Sequence, residues 1–188
     1  MVSSVYDRNP KDAYWTEPWV TRALLEQLHL RGVVWEPATG TGQMAYEIFD
    51  HGYTEVYPTD IVEYPECMLA EVVDFLKVER PWPGTIITNP PYTLAEEFVR
   101  HALKLTRPEG MVTMLLRNEW DCAASRRDLF ENAPFKTKYV LTKRPRWAAS
   151  NKASPRHNFA WFVWDWAYSG VPEIKYLPAL KMSMKSRS

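Results

Sequence analysis

The sequence predicts an α/β protein: one domain on an open, mostly parallel sheet of about seven strands, with helices on both faces and one antiparallel strand near the C-terminus. Three observations lead there. Short aliphatic and β-branched runs alternate with amphipathic, helix-length runs between residues 16 and 132, the pattern of βαβ units. Two strand-like runs, 138–142 and 158–166, then follow with no helix between them, which calls for an antiparallel pairing. The length, 188 residues, is that of one domain. A chain of this size buries about 70% of its unfolded surface without disulfide or metal staples.

The elements follow in order. TEPWVTRALLEQLHLRG reads as a helix with Thr16 as N-cap, Pro18 in its first turn and Gly32 after its end. Val20, Leu24 and Leu28 share one face. Residues 33–35 form a short buried strand, EPATGTGQ a loop, and QMAYEIFDHG a helix closed by Gly52. Residues 55–60 form the next strand, and residues 62–71 a helix leading into VVDFL. TIIT at 85–88 is a buried strand. The following helix, 93–105, carries the capping-box pattern Thr93-x-x-Glu96. Residues 110–116 are a strand, 121–132 a helix, and 138–142 and 158–166 the last strands. Trp161 or Trp164 belongs to the core, because alternation along a strand buries one face. Residues 178–188 read as a flexible tail.

Composition excludes several classes. No run of 18 apolar residues is present, so no membrane span is expected. The N-terminal stretch lacks a signal-peptide apolar core. Cys67 and Cys122 are far apart, without a CxxC pattern, which suits a reduced, cytoplasmic setting. No metal-ligand spacing occurs, and no metal is expected.

The zero net charge hides an asymmetry. Residues 1–100 hold 7 Lys/Arg against 16 Asp/Glu, and residues 101–188 hold 16 against 7. No acid occurs between Glu131 and Asp165, an interval containing Lys136, Lys138, Lys143, Arg144, Arg146, Lys152 and Arg156. Trp147, His157 and Phe159 are set among these cations. A solvated face is the plain reading of a charge run, but cations with stacking rings are also what nucleic-acid binding requires.

In an open α/β sheet, ligands bind beyond the carboxyl ends of the strands. One such tip carries Gly40-Thr41-Gly42-Gln43-Met44-Ala45, a G-x-G-x-x-A loop between strand and helix. Asp60 ends the next strand, 18 residues beyond Gly42, near the distance expected of an acid on ribose hydroxyls. Glu36 ends the strand before the loop. A dinucleotide or S-adenosylmethionine would suit this arrangement, and the glycine pattern alone does not decide between them. The second tip is TNPPY, 88–92. Two adjacent prolines stop a strand, because neither has an N–H for the ladder, and they stiffen the turn. Asn before Pro is also an ordinary turn starter.

EPATGTG followed by TNPPY resembles the S-adenosylmethionine-dependent amino-methyltransferases, and NPPY most resembles the adenine-N6 enzymes of the small phage and bacterial DNA type. YWTEPW at 14–19, DFL at 74–76 and the region RPRWAAS to HNFAWFVWD extend the likeness from about Tyr14 to Asp165. The resemblance implies a Rossmann-like methyltransferase fold and a DNA substrate. It implies S-adenosylmethionine held by Trp15, Thr16, Glu36, Ala38, Gly40, Gly42, Asp60, Ile61, Asp74, Phe75 and Asn89, with S-adenosylhomocysteine as product. Asp74 and Phe75 would face the donor's adenine.

The chemistry implied is specific. The exocyclic amine of adenine is a poor nucleophile, since its lone pair is delocalised into the ring. The Asn89 side-chain oxygen and the Pro90 carbonyl would accept from its hydrogens. Pro91 would hold that pair rigidly, and Tyr92 would stack on a base flipped out of the helix. Lys143, Arg144, Arg146, Trp147, Lys152, Arg156, His157 and Asn158 are the expected nucleic-acid contacts. Only 28 residues separate Asp60 from Asn89, and the stretch from Tyr92 to Lys138 is filled by helix, strand and helix. No separate target-recognition domain fits within residues 1–188.

Four alternatives stay open. An RNA adenine methyltransferase would present the same flipped base. Enzymes that methylate glutamine in release factors also carry NPPY. A non-catalytic nucleic-acid-binding module would keep only a relic of the pocket. A nicotinamide oxidoreductase explains the glycine loop but leaves NPPY idle. The sequence leaves the oligomeric state undetermined.

Overall fold

The computed structural model describes residues 15–146 and 157–178. Within them an eight-stranded sheet runs in the order β3-β2-β1-β4-β5-β7-β6-β8. Its strands are β1 Val34–Glu36, β2 Val56–Asp60, β3 Glu71–Val72, β4 Thr85–Thr88, β5 Met111–Arg117, β6 Phe135–Leu141, β7 Phe159–Asp165 and β8 Glu173–Leu177. All neighbours are parallel except β7, which is antiparallel to both β5 and β6. The helices are α1 Pro18–Leu25, α2 Gln43–Asp50, α3 Ala95–Thr106 and the short α4 Asp128–Glu131. This is the predicted fold class, with one strand more than expected.

Period-2 alternation divides the core into two layers. Val34, Ile87, Met111, Leu115 and Trp161 pack with α1 and α2 on one face. Trp35, Ile86, Val112, Met114, Phe162 and Trp164 pack with α3 and Leu129 on the other. The buried indoles find hydrogen-bond acceptors, as buried Trp must. Trp35 donates to Thr59 (2.8 Å), Trp161 to the Val20 carbonyl (3.1 Å) and Trp164 to the Leu129 carbonyl (2.7 Å). Trp161 and Trp164 are thus both core, one on each face of the sheet, where one of the two was expected.

Five local expectations are corrected. The first helix ends at Leu25, and its N-cap position is Glu17, not Thr16. Leu28 and Leu30 are both buried. Two residues apart on a helix they would face nearly opposite ways, so the chain leaves the helix to bury both. Residues 62–70 form turns and bends rather than a helix, and Glu71 already belongs to β3. Pro65 interrupts them, and Cys67 is the one side chain they bury, with Met68 and Leu69 outside. The capping box does not form: α3 begins at Ala95 with no side-chain cap, and Glu96 instead takes Arg100 and Arg126 at 3.0 and 3.1 Å. The expected helix 121–132 breaks at Ala123, which is extended (φ −85°, ψ 128°). Its backbone is pinned instead by guanidinium groups, Arg126 on the Trp120 carbonyl and Arg100 on the Ser125 carbonyl. Finally, β8 stands where no strand was expected, and β6 begins at Phe135 rather than 138. Residues 179–188 of the predicted tail lie outside the described residues.

Candidate active site

Two strand ends bring two carboxyl groups together. β1 ends at Glu36 and β2 at Asp60, and both are almost fully buried, at 2% and 1% exposure. Glu36 accepts a hydrogen bond from the Thr39 hydroxyl at 2.8 Å. Asp60 accepts from the Gly40 N–H at 2.9 Å and from the Val62 N–H at 3.2 Å. Burial pushes the Glu36 carboxyl up to about 8, the Asp60 charge adding to the push and Thr39 opposing it. The ligand-free site therefore holds a proton on Glu36 at neutral pH, and an arriving cation would displace it.

The loop between these acids owes its shape to two glycines. Gly40 and Gly42 take φ values of 54° and 84°, the left-handed region that a side chain disfavours. At Gly42 space adds to the constraint, since a Cβ there would fall 2.7 Å from the Cys67 sulfur. The turn delivers the chain into α2, whose first residue is Gln43.

The opposite wall starts at the end of β4. After Thr88 the chain runs through Asn89-Pro90-Pro91 into a single 3₁₀ turn, Tyr92–Leu94, closed by Leu94 N–H on the Pro91 carbonyl at 2.9 Å. The Asn89 amide nitrogen donates to the Thr16 hydroxyl at 3.2 Å. That bond spans 73 positions of sequence and ties the amide to Thr16. Tyr92 is half-buried, its ring 5.6 Å from that of Phe159 and 6.0 Å from the Arg117 guanidinium.

A groove joins the two walls. Its narrow end is lined by Trp15, Thr16, Glu36, Gly40, Asn89 and Pro90, with Thr39, Thr41, Gln43, Met44 and Tyr64. Its wide end, a cavity of about 370 Å³, is lined by Asp60, Ile61, Asp74, Phe75, Leu94 and Phe98. Ala38 and Pro91 line both ends. Ten of the eleven residues expected to hold the donor line this groove, and Gly42 shapes the turn behind it. Phe75 is buried against Trp35, Phe98 and His101. Asp74 pairs with Lys77 at 2.9 Å. Tyr64 was missed because it fell in a segment read as helix. Thr16 was expected on the donor, and its bond to Asn89 had no sequence signal.

The basic interval behaves differently. Lys136 bonds Asp165 at 2.9 Å, and Lys138 bonds Asp121 at 2.8 Å and the Asn118 carbonyl at 2.6 Å. Acids distant in sequence thus enter an acid-free run, and these two lysines hold the fold together. Lys143, Arg144, Arg146, His157 and Asn158 are exposed. Lys143 lies 5.4 Å from the Trp19 ring, and Arg144 donates to the Asn158 side chain at 2.9 Å. The Arg146 N–H donates to Glu17 at 2.6 Å, and Glu17 also accepts from the Trp19 indole at 3.0 Å. The exposed cations therefore adjoin the segment that carries Trp15 and Thr16. Trp147, Lys152 and Arg156 lie outside the described residues.

No family model matches the chain, and no curated protein matches it. Solved structures do share its fold. A Listeria monocytogenes protein assigned to the class I S-adenosylmethionine-dependent methyltransferases is 11% identical, with a TM-score of 0.61 over 92% of this chain and 68% of that one. A Pyrococcus horikoshii protein assigned as an RNA methyltransferase is 12% identical, with a TM-score of 0.57 over 79% and 80%. The methyltransferase subunit of a type I restriction-modification system from Streptococcus thermophilus is 10% identical, with a TM-score of 0.62 over 83% of this chain but only 45% of the subunit. The architecture is the Rossmann-like methyltransferase fold.

Proposed function

We propose that this chain transfers a methyl group from S-adenosylmethionine to the N6 amine of adenine in DNA. The observation that carries the reading is the meeting of NPPY and the glycine loop in one groove, with Asn89 tied to Thr16 opposite the buried Glu36. The groove suits such a donor. Its narrow end offers Glu36, whose proton the ammonium of the donor's amino-acid moiety would displace, and its wide end offers an acid and apolar walls to a nucleoside. When bound, the donor supplies an electrophilic methyl on a sulfonium whose sulfur departs as a neutral thioether.

The remaining work falls to this chain's residues. The Asn89 side-chain oxygen and the Pro90 carbonyl accept from the amine hydrogens, which favours a pyramidal nitrogen and frees its lone pair. Pro91 keeps that carbonyl from reorganising. Nitrogen gains the methyl and then releases one proton to water, so no buried general base is required. Tyr92 flanks the flipped base, while Lys143, Arg144 and Arg146 meet phosphates. Restriction-modification and RNA methyltransferases both occur among the structural neighbours. A transfer assay with labelled donor on DNA, RNA and protein tests the reading. N6-methyladenine in digested DNA is the expected product. Label on RNA or on protein glutamine instead would replace the substrate, and no transfer to any of them would reject the enzyme.

A further inference from the structure

We infer that the chain pairs with a second copy of itself through the outer edge of β8. Among the described residues β8 ends the sheet, with β6 on one side and no strand on the other. Unlike the inner strands it is largely exposed: Ile174 and Tyr176 on one face are 64% and 70% exposed, Glu173 and Lys175 on the other are exposed while Leu177 is buried, and Val171 before them is 81% exposed. Ile174 lies beside Lys138 and Tyr176 beside Val140 in the parallel register. An apolar, unpaired edge of this kind is a template for a further strand.

Backbone direction shows which groups face outward. The Leu177 carbonyl accepts from Thr142 N–H at 3.0 Å, across to the chain continuing from β6. Successive strand residues aim their N–H and C=O to alternate sides. Leu177, Lys175 and Glu173 thus address β6, and Tyr176 and Ile174 address solvent.

Charge then selects both the occupant and the register. Glu173 and Lys175 flank Ile174 and already pair along the strand at 2.8 Å. In an antiparallel pairing that sets Ile174 opposite its own copy, Glu173 faces the partner's Lys175 and Lys175 faces the partner's Glu173. The four charges alternate in sign. The Ile174 N–H donates to the carbonyl of the partner's Ile174, and the Tyr176 N–H to the carbonyl of the partner's Pro172, each bond occurring twice by symmetry. Pro172 lacks an N–H but is needed only as an acceptor. Sliding the register by two residues, so that Lys175 meets its own copy and Ile174 meets Tyr176, opposes like charges instead. The strand is therefore complementary to itself in one register, as a two-fold interface requires.

Sedimentation and light scattering over a concentration series test this independently of the methyl-transfer reading. The mass of the full chain should rise from 22.0 kDa toward twice that value. Glu173→Lys and Lys175→Glu should each weaken association about tenfold or more. The double variant Glu173→Lys/Lys175→Glu, which exchanges the charges and restores opposite pairing, should recover association to within a few-fold. A constant monomer mass would overturn the proposal. So would single variants that associate like wild type, or a double variant that stays monomeric with unchanged circular dichroism and melting.

Discussion

At the carboxyl ends of β1 and β2, Glu36 and Asp60 stand side by side out of water, supported by a hydroxyl and two backbone N–H groups. Beside the N-terminal segment that forms one rim of the same groove, Lys143, Arg144 and Arg146 stand in solvent. The two regions hold opposite charges under opposite conditions. Burying two acids together works against folding, so their presence at a strand-end groove argues for a ligand that compensates them. Exposed cations cost the fold almost nothing. Their presence alone argues for little, and only their response to an anion gives them a role.

The largest effect expected lies in the buried region. Asn89→Ala should lower the single-turnover methyl-transfer rate about 10²- to 10³-fold. Affinity for the donor should change far less, because Asn89 is one of many groups lining the groove. Rapid-quench kinetics beside calorimetry separate the two, and a near-normal rate would remove Asn89 from the chemistry.

Glu36 gives the next effect, through pH. Its carboxyl is raised from 4.5 to about 8 in the folded, ligand-free protein. Donor binding that ionises it should strengthen about tenfold per pH unit below 8 and level off above. Calorimetry in buffers of different ionisation heat should show one proton released at pH 6–7. For stability the sign is fixed by the raised value: Glu36 contributes fully below 4.5, and the contribution is lost as pH rises through 8. Glu36→Gln should therefore melt higher than wild type at pH 9, bind donor more weakly, and lose the pH slope of binding. Asp60→Ala comes third. It should weaken the donor ten- to a hundredfold, and titration calorimetry reads it directly.

The fold and the groove were largely legible because both rest on local patterns. Aliphatic runs marked β1, β2, β4, β5 and β7, and glycines and prolines marked the turns that line the groove. What escaped depends on contacts between distant positions. Thr16 meets Asn89 across 73 residues, and Arg100 reaches from α3 to Ser125 and Asp128, where the expected helix is broken into short turns. The capping box failed for the same reason, since Arg126 competes for Glu96. β8 escaped because its alternation is short, with charged and apolar residues both exposed. The acid-free interval misled most: Asp121 and Asp165 pair with Lys138 and Lys136 in space though no acid lies between Glu131 and Asp165 in sequence.

That last point yields the smallest effect, and it separates fold-holding cations from ligand-binding ones. Each phosphate neutralised on duplex DNA contributes about −0.9 to the slope of log affinity against log salt. Replacing Arg144 and Arg146 together should flatten the slope by about 2 and weaken binding on all sequences alike. Lys138→Ala removes a cation from the same interval, but one already held by Asp121 and the Asn118 carbonyl. It should leave the salt slope unchanged and lower the melting temperature, because its removal leaves those acceptors without their donor. Salt titrations of DNA affinity, run beside thermal melts for both variants, decide the matter. If Lys138→Ala flattened the slope as much as the arginine pair, the distinction between structural and binding cations would collapse. If neither variant changed it, the strip would be a solvated face and the DNA surface would lie elsewhere on the molecule.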